Sequence, residues 1–242
     1  MMKEARILTI KCRCTMYLFF KRLFDIFCSL VSIVLLCPLI IPIVLVLRFT
    51  GEGKVLYKQT RIGLKNRGFG IYKFVTMLEN SPNMGTRSIT LPNDPRVLPI
   101  GRFLRKTKIN ELPQILNVLL GDMSIVGPRP LVQETFDTYS LDVQNQIYDS
   151  KPGLTGIGSI MFRDEESLFK NTKMAPAEFY AKRISPIKGS LELWYKNHRS
   201  LWVDFLIVFL TAWVILFPKS TLPRRVFRNL PEVDLHSHDF GN

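Results

Sequence analysis

Cysteine and histidine are scarce in this chain of 242 residues, with four of the first and three of the second. Cys12, Cys14, Cys28 and Cys37 all lie in the first sixth of the chain, with no CxxC pair and no second Cys/His cluster to complete a zinc site. A disulfide framework is thereby excluded, and the thiols are expected to be reduced and close to a membrane. The glycine fingerprints of nucleotide folds are also missing. No GK[ST] ending and no strand-to-helix GxGxxG follow the glycines of GFGIYKFVTM, and Gly153, Gly156 and Gly158 in KPGLTGIGS stand in the wrong order. Those glycines are expected to serve turns. Acidic residues are in deficit, 20 against 33 Lys and Arg, for a net charge of +13. The excess implies an anionic partner: nucleic acid, an acidic membrane surface or a phosphorylated small molecule. No nucleic acid partner is expected, a membrane-tethered nucleic-acid-binding module being a remote alternative, because the basic residues are spread along the chain and show neither a zinc-finger spacing nor an RRM aromatic motif.

What is present is two long apolar runs. Ile26 to Leu47 reads IFCSLVSIVLLCPLIIPIVLVL, without a charge and, at ~1.5 Å per residue, long enough as a helix to cross a bilayer core of ~30 Å. It is too long for a cleavable signal, and no small-residue cleavage site separates it from RFTGEGK. Lys11, Arg13, Lys21 and Arg22 precede it, and Arg48, Lys54, Lys58 and Arg61 follow. Cytoplasmic flanks carry the excess of Lys and Arg, so both ends call for the same side. Pro38 and Pro42 supply the means, since each removes a backbone donor and favours a break in mid-helix. A re-entrant helix-break-helix is the expectation, and a single kinked span is its competitor. The second run, Leu201 to Phe217, is short for a span and contains Asp204. With Lys196, His198 and Arg199 before it and Lys219, Arg224 and Arg225 after it, it is expected to be an interfacial amphipathic helix on anionic lipid, a buried core helix being the alternative. His236 and His238, in the aperiodic tail, are expected to be solvent-exposed.

The polar middle is read as mixed helix and strand. VLYKQTRIG and GFGIYKFVTM predict two short strands around the turn LKNRG. In RKTKINELPQILNVLL, Asn110 is expected to cap a helix whose first turn holds Glu111, Leu112 and Pro113. The free N–H groups and dipole of such a terminus favour anions, and Arg102, Arg105, Lys106, Lys108 and Arg129 are near in sequence. A diphosphate held by arginine forks and bridged by a divalent cation on Glu111 fits that setting. So does a plain helix start with a solvated basic face.

YKQTRIG, IYKFVTM, ELPQILNVLLGDMSIVGPRP and KPGLTGIGS, in this order behind one hydrophobic segment, resemble the bacterial sugar transferase family, the monotopic phosphoglycosyl transferases. The resemblance runs from Lys21 to Leu216. It implies a monotopic membrane protein in the bacterial inner membrane, with an α/β-like mixed domain on the cytoplasmic face. The implied division is a tail over 1–20, a re-entrant helix over 21–50 that breaks at Pro38, a catalytic domain over 51–200, an interfacial helix over 201–218 and a basic tail over 219–242. The implied reaction moves a phosphosugar from a UDP-sugar to undecaprenyl phosphate with release of UMP, the first membrane step of O-antigen, capsule, exopolysaccharide or glycoprotein glycan assembly. Anionic inner-leaflet lipids, a second copy of the chain and downstream glycosyltransferases are the further partners such a role admits.

In the family pattern an Asp-Glu dyad supplies a nucleophilic Asp and a Glu that holds Mg²⁺. Asn110 stands in the place of that Asp, and Glu111 matches the Glu. Lys73 matches the lysine of KFRTM, while Val75 replaces its arginine, and Cys37 replaces the usual serine before Pro38. Arg105 and Arg129 match residues expected to bind the diphosphate, and Asp122 belongs to the same retained set. A neutral amide is a poor nucleophile toward phosphorus. Three readings follow: attack by Glu111, direct attack by the polyprenol phosphate, or a silent member acting as a binding or assembly partner.

Overall fold

The computed structural model describes residues 2–81, 94–163, 165–169, 174–218 and 220–231, without the side chains of residues 2–14, 166, 167 and 176. The expectations for Lys11, Arg13, Lys219, His236 and His238 fall outside what is described. The fold is mixed helix and strand, led by one long apolar helix.

That helix, α1 (Met2–Phe49), is assigned without interruption through Pro38 and Pro42, so the stretch expected as a tail is helical. It stops because Gly51 and Gly53 adopt left-handed φ of +58° and +69°, conformations that close a helix at little cost only for glycine. Its apolar middle stays uncovered: Phe27, Val34 and Leu35 are 66–72% exposed. A single surface of this length and polarity calls for a lipid environment, so the chain is membrane-associated.

Two compact units follow, interleaved along the chain. One takes residues 26–60 and 70–121, and the other takes 1–25, 61–69 and 122–242. The predicted hairpin forms as β1 (Leu56–Ile62) and β2 (Gly68–Phe74) around a short 3₁₀ turn at Leu64–Asn66. Its base belongs to the first unit and its tip to the second. The first unit continues with α2 (Pro99–Lys106), a 3₁₀ turn at Ile109–Glu111 and α3 (Gln114–Leu120). Its core is Leu47, Phe74 and Leu104, with Ile40, Ile43, Val44, Ile109 and Leu112 packed around them. A buried Asp94–Arg96 pair at 2.6 Å closes the loop before α2.

The second unit has a parallel pair, β3 (Ser124–Val126) and β4 (Gly153–Thr155), in register Ser124↔Gly153 and Val126↔Thr155. Around it lie α4 (Gln133–Phe136), α5 (Leu141–Ile147), α6 (Ile157–Met161), α7 (Glu165–Leu168), α8 (Pro176–Phe179), a π-helical turn at Tyr180–Ile184, α9 (Ser185–His198), α10 (Leu201–Leu216) and α11 (Leu222–Val226). The glycines of KPGLTG were expected in turns and instead, with Gly127 of GPRP, permit contact between backbones. A Cβ on Gly153 would stand 2.1 Å from the Gly127 nitrogen, and one on Gly156 2.2 Å from the Gly127 oxygen.

α10 departs from the expected amphipathic pattern. Asp204 is 1% exposed and lies on the packed face with Ile207, Leu210 and Val214, while Trp202, Phe205, Phe209 and Leu216 face outward. Both faces are therefore apolar, and the charge that argued against a span is itself buried. It is tolerated because it is matched: Asp204 accepts from Lys21 Nζ at 2.6 Å, Tyr195 OH at 2.6 Å and Tyr17 OH at 2.9 Å. One turn along α1, Asp25 Oδ1 accepts from Ser124 Oγ and the Ile125 N–H, both at 2.9 Å. The start of the apolar helix is thus fastened to α10 and to β3.

Removing one member of a buried ion pair leaves the other uncompensated, which costs about 3–5 kcal/mol. Lys21→Met should lower the thermal midpoint in detergent micelles accordingly, and the double change Lys21→Met with Asp204→Leu should recover much of the loss. An unchanged midpoint in Lys21→Met would show that the pair carries no stability.

Candidate functional site

Four of the sequence-predicted residues belong to the first unit, and each adjoins a residue of its core. Lys73 precedes Phe74, Arg105 follows Leu104, Asn110 follows Ile109 and Glu111 precedes Leu112. Phe74 and Leu104 are buried in one cluster and Ile109 and Leu112 pack against it, which places the backbone of the four polar residues along the same core. The same cluster contains Leu47, with Ile43 and Val44, from the end of the membrane helix.

Locally, the chain reaches the Asn110–Glu111 pair through a sharp joint. α2 ends where Thr107 Oγ1 donates to Phe103 O at 2.8 Å. Lys108 then takes φ +61°, a left-handed conformation that costs a non-glycine residue roughly 1 kcal/mol. Next, the Glu111 N–H donates to Lys108 O and the Leu112 N–H to Ile109 O, the three-residue spacing of a 3₁₀ turn. Asn110 is therefore not a helix cap: it sits inside the turn, and α3 begins at Gln114 behind Pro113. The tight turn faces Asn110 inward at 9% exposure, and its Oδ1 is buried without a hydrogen-bond partner. Glu111 is half-buried beside it.

Lys73 Nζ donates to Gln59 Oε1 across the hairpin at 3.2 Å, and Arg105 Nη1 lies 3.5 Å from Met77 Sδ. Asn117 has a positioning role that pattern reading passed over. It is wholly buried on α3, accepts from the Tyr72 N–H at 2.9 Å and donates to Gly70 O at 2.8 Å. This carboxamide completes the edge of β2 next to Lys73 as another strand would. An asparagine within the apolar run ILNVLL was the available signal.

Arg129 belongs to the second unit. Its side chain is exposed and its backbone is held: Tyr148 OH donates to Arg129 O at 2.7 Å and accepts from the Leu131 N–H at 3.0 Å. Asp122 is exposed in that unit, just past Gly121, which caps α3 at φ +95°. Pro38 is exposed on α1.

The donor set suits a magnesium ion. The unpartnered Asn110 oxygen and the adjoining Glu111 carboxylate are oxygen ligands, and Mg²⁺ is commonly held by one or two carboxylates together with substrate phosphates. Among the described residues no group of three or more His, Cys, Asp or Glu forms a ready-made cage.

A model of the bacterial sugar transferase family matches residues 16–218. The chain belongs to that family. Among its relatives, the undecaprenyl-phosphate galactose phosphotransferase of Salmonella typhimurium is 34% identical over 212 residues, covering 82% of this chain and 40% of the relative. The UDP-glucose:undecaprenyl-phosphate glucose-1-phosphate transferase of Klebsiella pneumoniae is 34% identical over 206 residues, 83% of this chain and 41% of the relative. The exopolysaccharide production protein ExoY of Rhizobium meliloti is 35% identical over 208 residues, 79% of this chain and 83% of the relative. This sugar transferase family member thus spans about two fifths of the length of the first two and most of the third. The matched stretch includes both ends of the apolar helix, the hairpin, the dyad turn and α10.

In this family member, Asn117→Ala leaves Gly70 O and the Tyr72 N–H without their partner, at roughly 1–3 kcal/mol for each group that stays buried. Hydrogen exchange should accelerate at the Tyr72 amide well ahead of global unfolding. Unchanged protection there would remove Asn117 from its positioning role.

Proposed function

We propose that the chain transfers a sugar 1-phosphate from a UDP-sugar to undecaprenyl phosphate at the cytoplasmic face of the inner membrane. The observation that carries this reading is the shared core. The residues flanking Lys73, Arg105, Asn110 and Glu111 pack in one cluster with the end of the membrane helix, as a site for a lipid-borne acceptor requires. The names of the Salmonella and Klebsiella relatives support the acceptor and the class of donor.

The topology is one-sided and re-entrant. Tyr17, Lys21 and Asp25 at one end of the apolar stretch are bonded within one polar unit, and Leu47 at the other end is buried in the other. The chain passes between the units at 60–61, 69–70 and 121–122, and no second described helix is long and apolar enough to cross a membrane. In this reading the basic flanks keep both ends of the stretch on one side, and the helix, continuous through Pro38 and Pro42, bends there within one leaflet. The outward aromatic face of α10 rests at the headgroup level of anionic lipids, with Arg224 and Arg225 of α11 following.

Chemically, an oxygen of the lipid phosphate attacks the β-phosphorus of the UDP-sugar. The bond from that phosphorus to the bridging oxygen breaks, and UMP leaves with the electron pair. The dyad supports direct attack: Asn110 is neutral, and Glu111 would hold Mg²⁺, whose charge, when bound, would offset that of the diphosphate. Lys73 and Arg105 offer charge-assisted contacts to phosphate oxygens on the first unit, and Arg129 of the second unit is a further candidate for an anion contact.

UMP release from a panel of UDP-sugars should require undecaprenyl phosphate. It should fall roughly 100-fold or more in Glu111→Gln and stop with chelator. Without acceptor, intact mass spectrometry should find no phosphosugar on the wild type and an adduct at residue 110 in Asn110→Asp. A folded wild type inert across the panel would leave the reading of a binding or assembly partner, and an adduct on Glu111 would replace direct attack by attack through that residue.

A further inference from the structure

Within the second unit a cavity of about 30 Å³, room for one or two waters, is lined by Arg129, Ser159, Glu165, Lys188 and Glu192. Glu192, on α9, is 5% exposed. It accepts from the backbone N–H of Arg129, and its Oε2 is buried without a hydrogen-bond partner. The space for its carboxylate exists because residue 158 is glycine: a Cβ there would stand 2.5 Å from Glu192 Oε1. On the other side of the Arg129 Cα, in the next peptide group, Tyr148 OH donates to Arg129 O. The Arg129 main chain is gripped on both sides while its side chain reaches solvent.

We propose that Glu192 is a positioning residue for anion binding: by holding the Arg129 peptide from within the cavity, it aims the guanidinium at the diphosphate of the nucleotide. The inference rests on the proposed role of Arg129. Tyr148 completes the grip, and Gly158 is its steric condition.

The groups facing Glu192 decide how the grip responds to pH. Burial pushes its carboxyl up to about 8, against the opposing pull of Lys188 and Arg129. Lys188 is on the same helix, pairs with Glu165 of α7 at 2.6 Å and is itself pushed down by burial. α6 contributes Gly158 and Ser159, and α5 contributes Ile147, all without charge. Tyr139 and Tyr180 are raised by burial and stay neutral. Below about pH 8 Glu192 is neutral and adds no negative charge beside Arg129. Above it, a carboxylate appears beside Arg129 and competes with the bound diphosphate.

The test is equilibrium binding of UDP with Mg²⁺ to the full chain in detergent, from pH 6.5 to 9. Glu192→Ala should weaken UDP binding about tenfold at pH 7, and Glu192→Gln, which keeps an oxygen for the Arg129 N–H, should restore most of it. Wild-type affinity should fall as pH rises through about 8, and Glu192→Gln should lack that fall. If Glu192→Ala does not fold, the pH profiles of wild type and Glu192→Gln decide alone, and identical profiles overturn the proposal. Arg129→Ala separates the two levels. Unchanged UDP affinity in that variant overturns both the role of Arg129 and the positioning of it. Weakened affinity there, with no effect of either Glu192 substitution, overturns the positioning alone.

Discussion

A carboxylate inside an apolar helix is stable only if its charge is answered, and the pairing of Asp204 with Lys21 is the constraint on which the second unit depends. The two residues are 183 positions apart and 2.6 Å from each other. Tyr17 and Tyr195 fill the remaining acceptor positions of the carboxylate. The desolvation cost of two buried charges is offset only by such complete pairing. The pair therefore fixes which residues of α1 meet α10, and it leaves the opposite face of α10, with Trp202, Phe205 and Phe209, turned outward. One turn further on, Asp25 carries the same fastening to β3, the strand that leads into the GPRP loop.

At the other end of the apolar stretch the fastening is made by packing alone. Leu47 is buried with Phe74 and Leu104, and the dyad turn joins them through Ile109 and Leu112. The site inherits its location from this cluster and its local shape from two economies of backbone. Lys108 accepts a left-handed conformation so that the turn can close tightly, and Asn117 substitutes a side-chain amide for a missing strand at the edge of β2. A carboxylate at residue 110 would need a cation or a basic partner at that depth. The amide instead leaves one oxygen unanswered, which suits a site that meets a metal or a substrate.

Local signals made part of this legible. The uncharged run, the two strands around LKNRG and the ELPQ to GPRP block are contiguous patterns, and each appears where it was read. Two readings failed for lack of distant information. α10 was read as amphipathic because the cation that answers Asp204 within the packed face lies at the other end of the chain. Asn110 passed for a cap because asparagine before an acidic first turn has that signature, whereas Pro113 and the left-handed Lys108 move the helix start to Gln114. The glycines of KPGLTG were assigned to turns, since a close approach of two backbones leaves no mark on either segment alone. Glu192 gave no signal, because a single acidic residue in a helix is ordinarily solvated.

The central proposal is that both ends of the apolar helix lie on the cytoplasmic side, as the basic residues on both flanks suggest. Single cysteines at Met16 and Lys54, in a background without Cys12, Cys14, Cys28 and Cys37, test it with a membrane-impermeant thiol reagent. Both positions should stay unlabelled in intact cells and become labelled after permeabilisation. Labelling of one of the two from outside intact cells would establish a span and contradict the account.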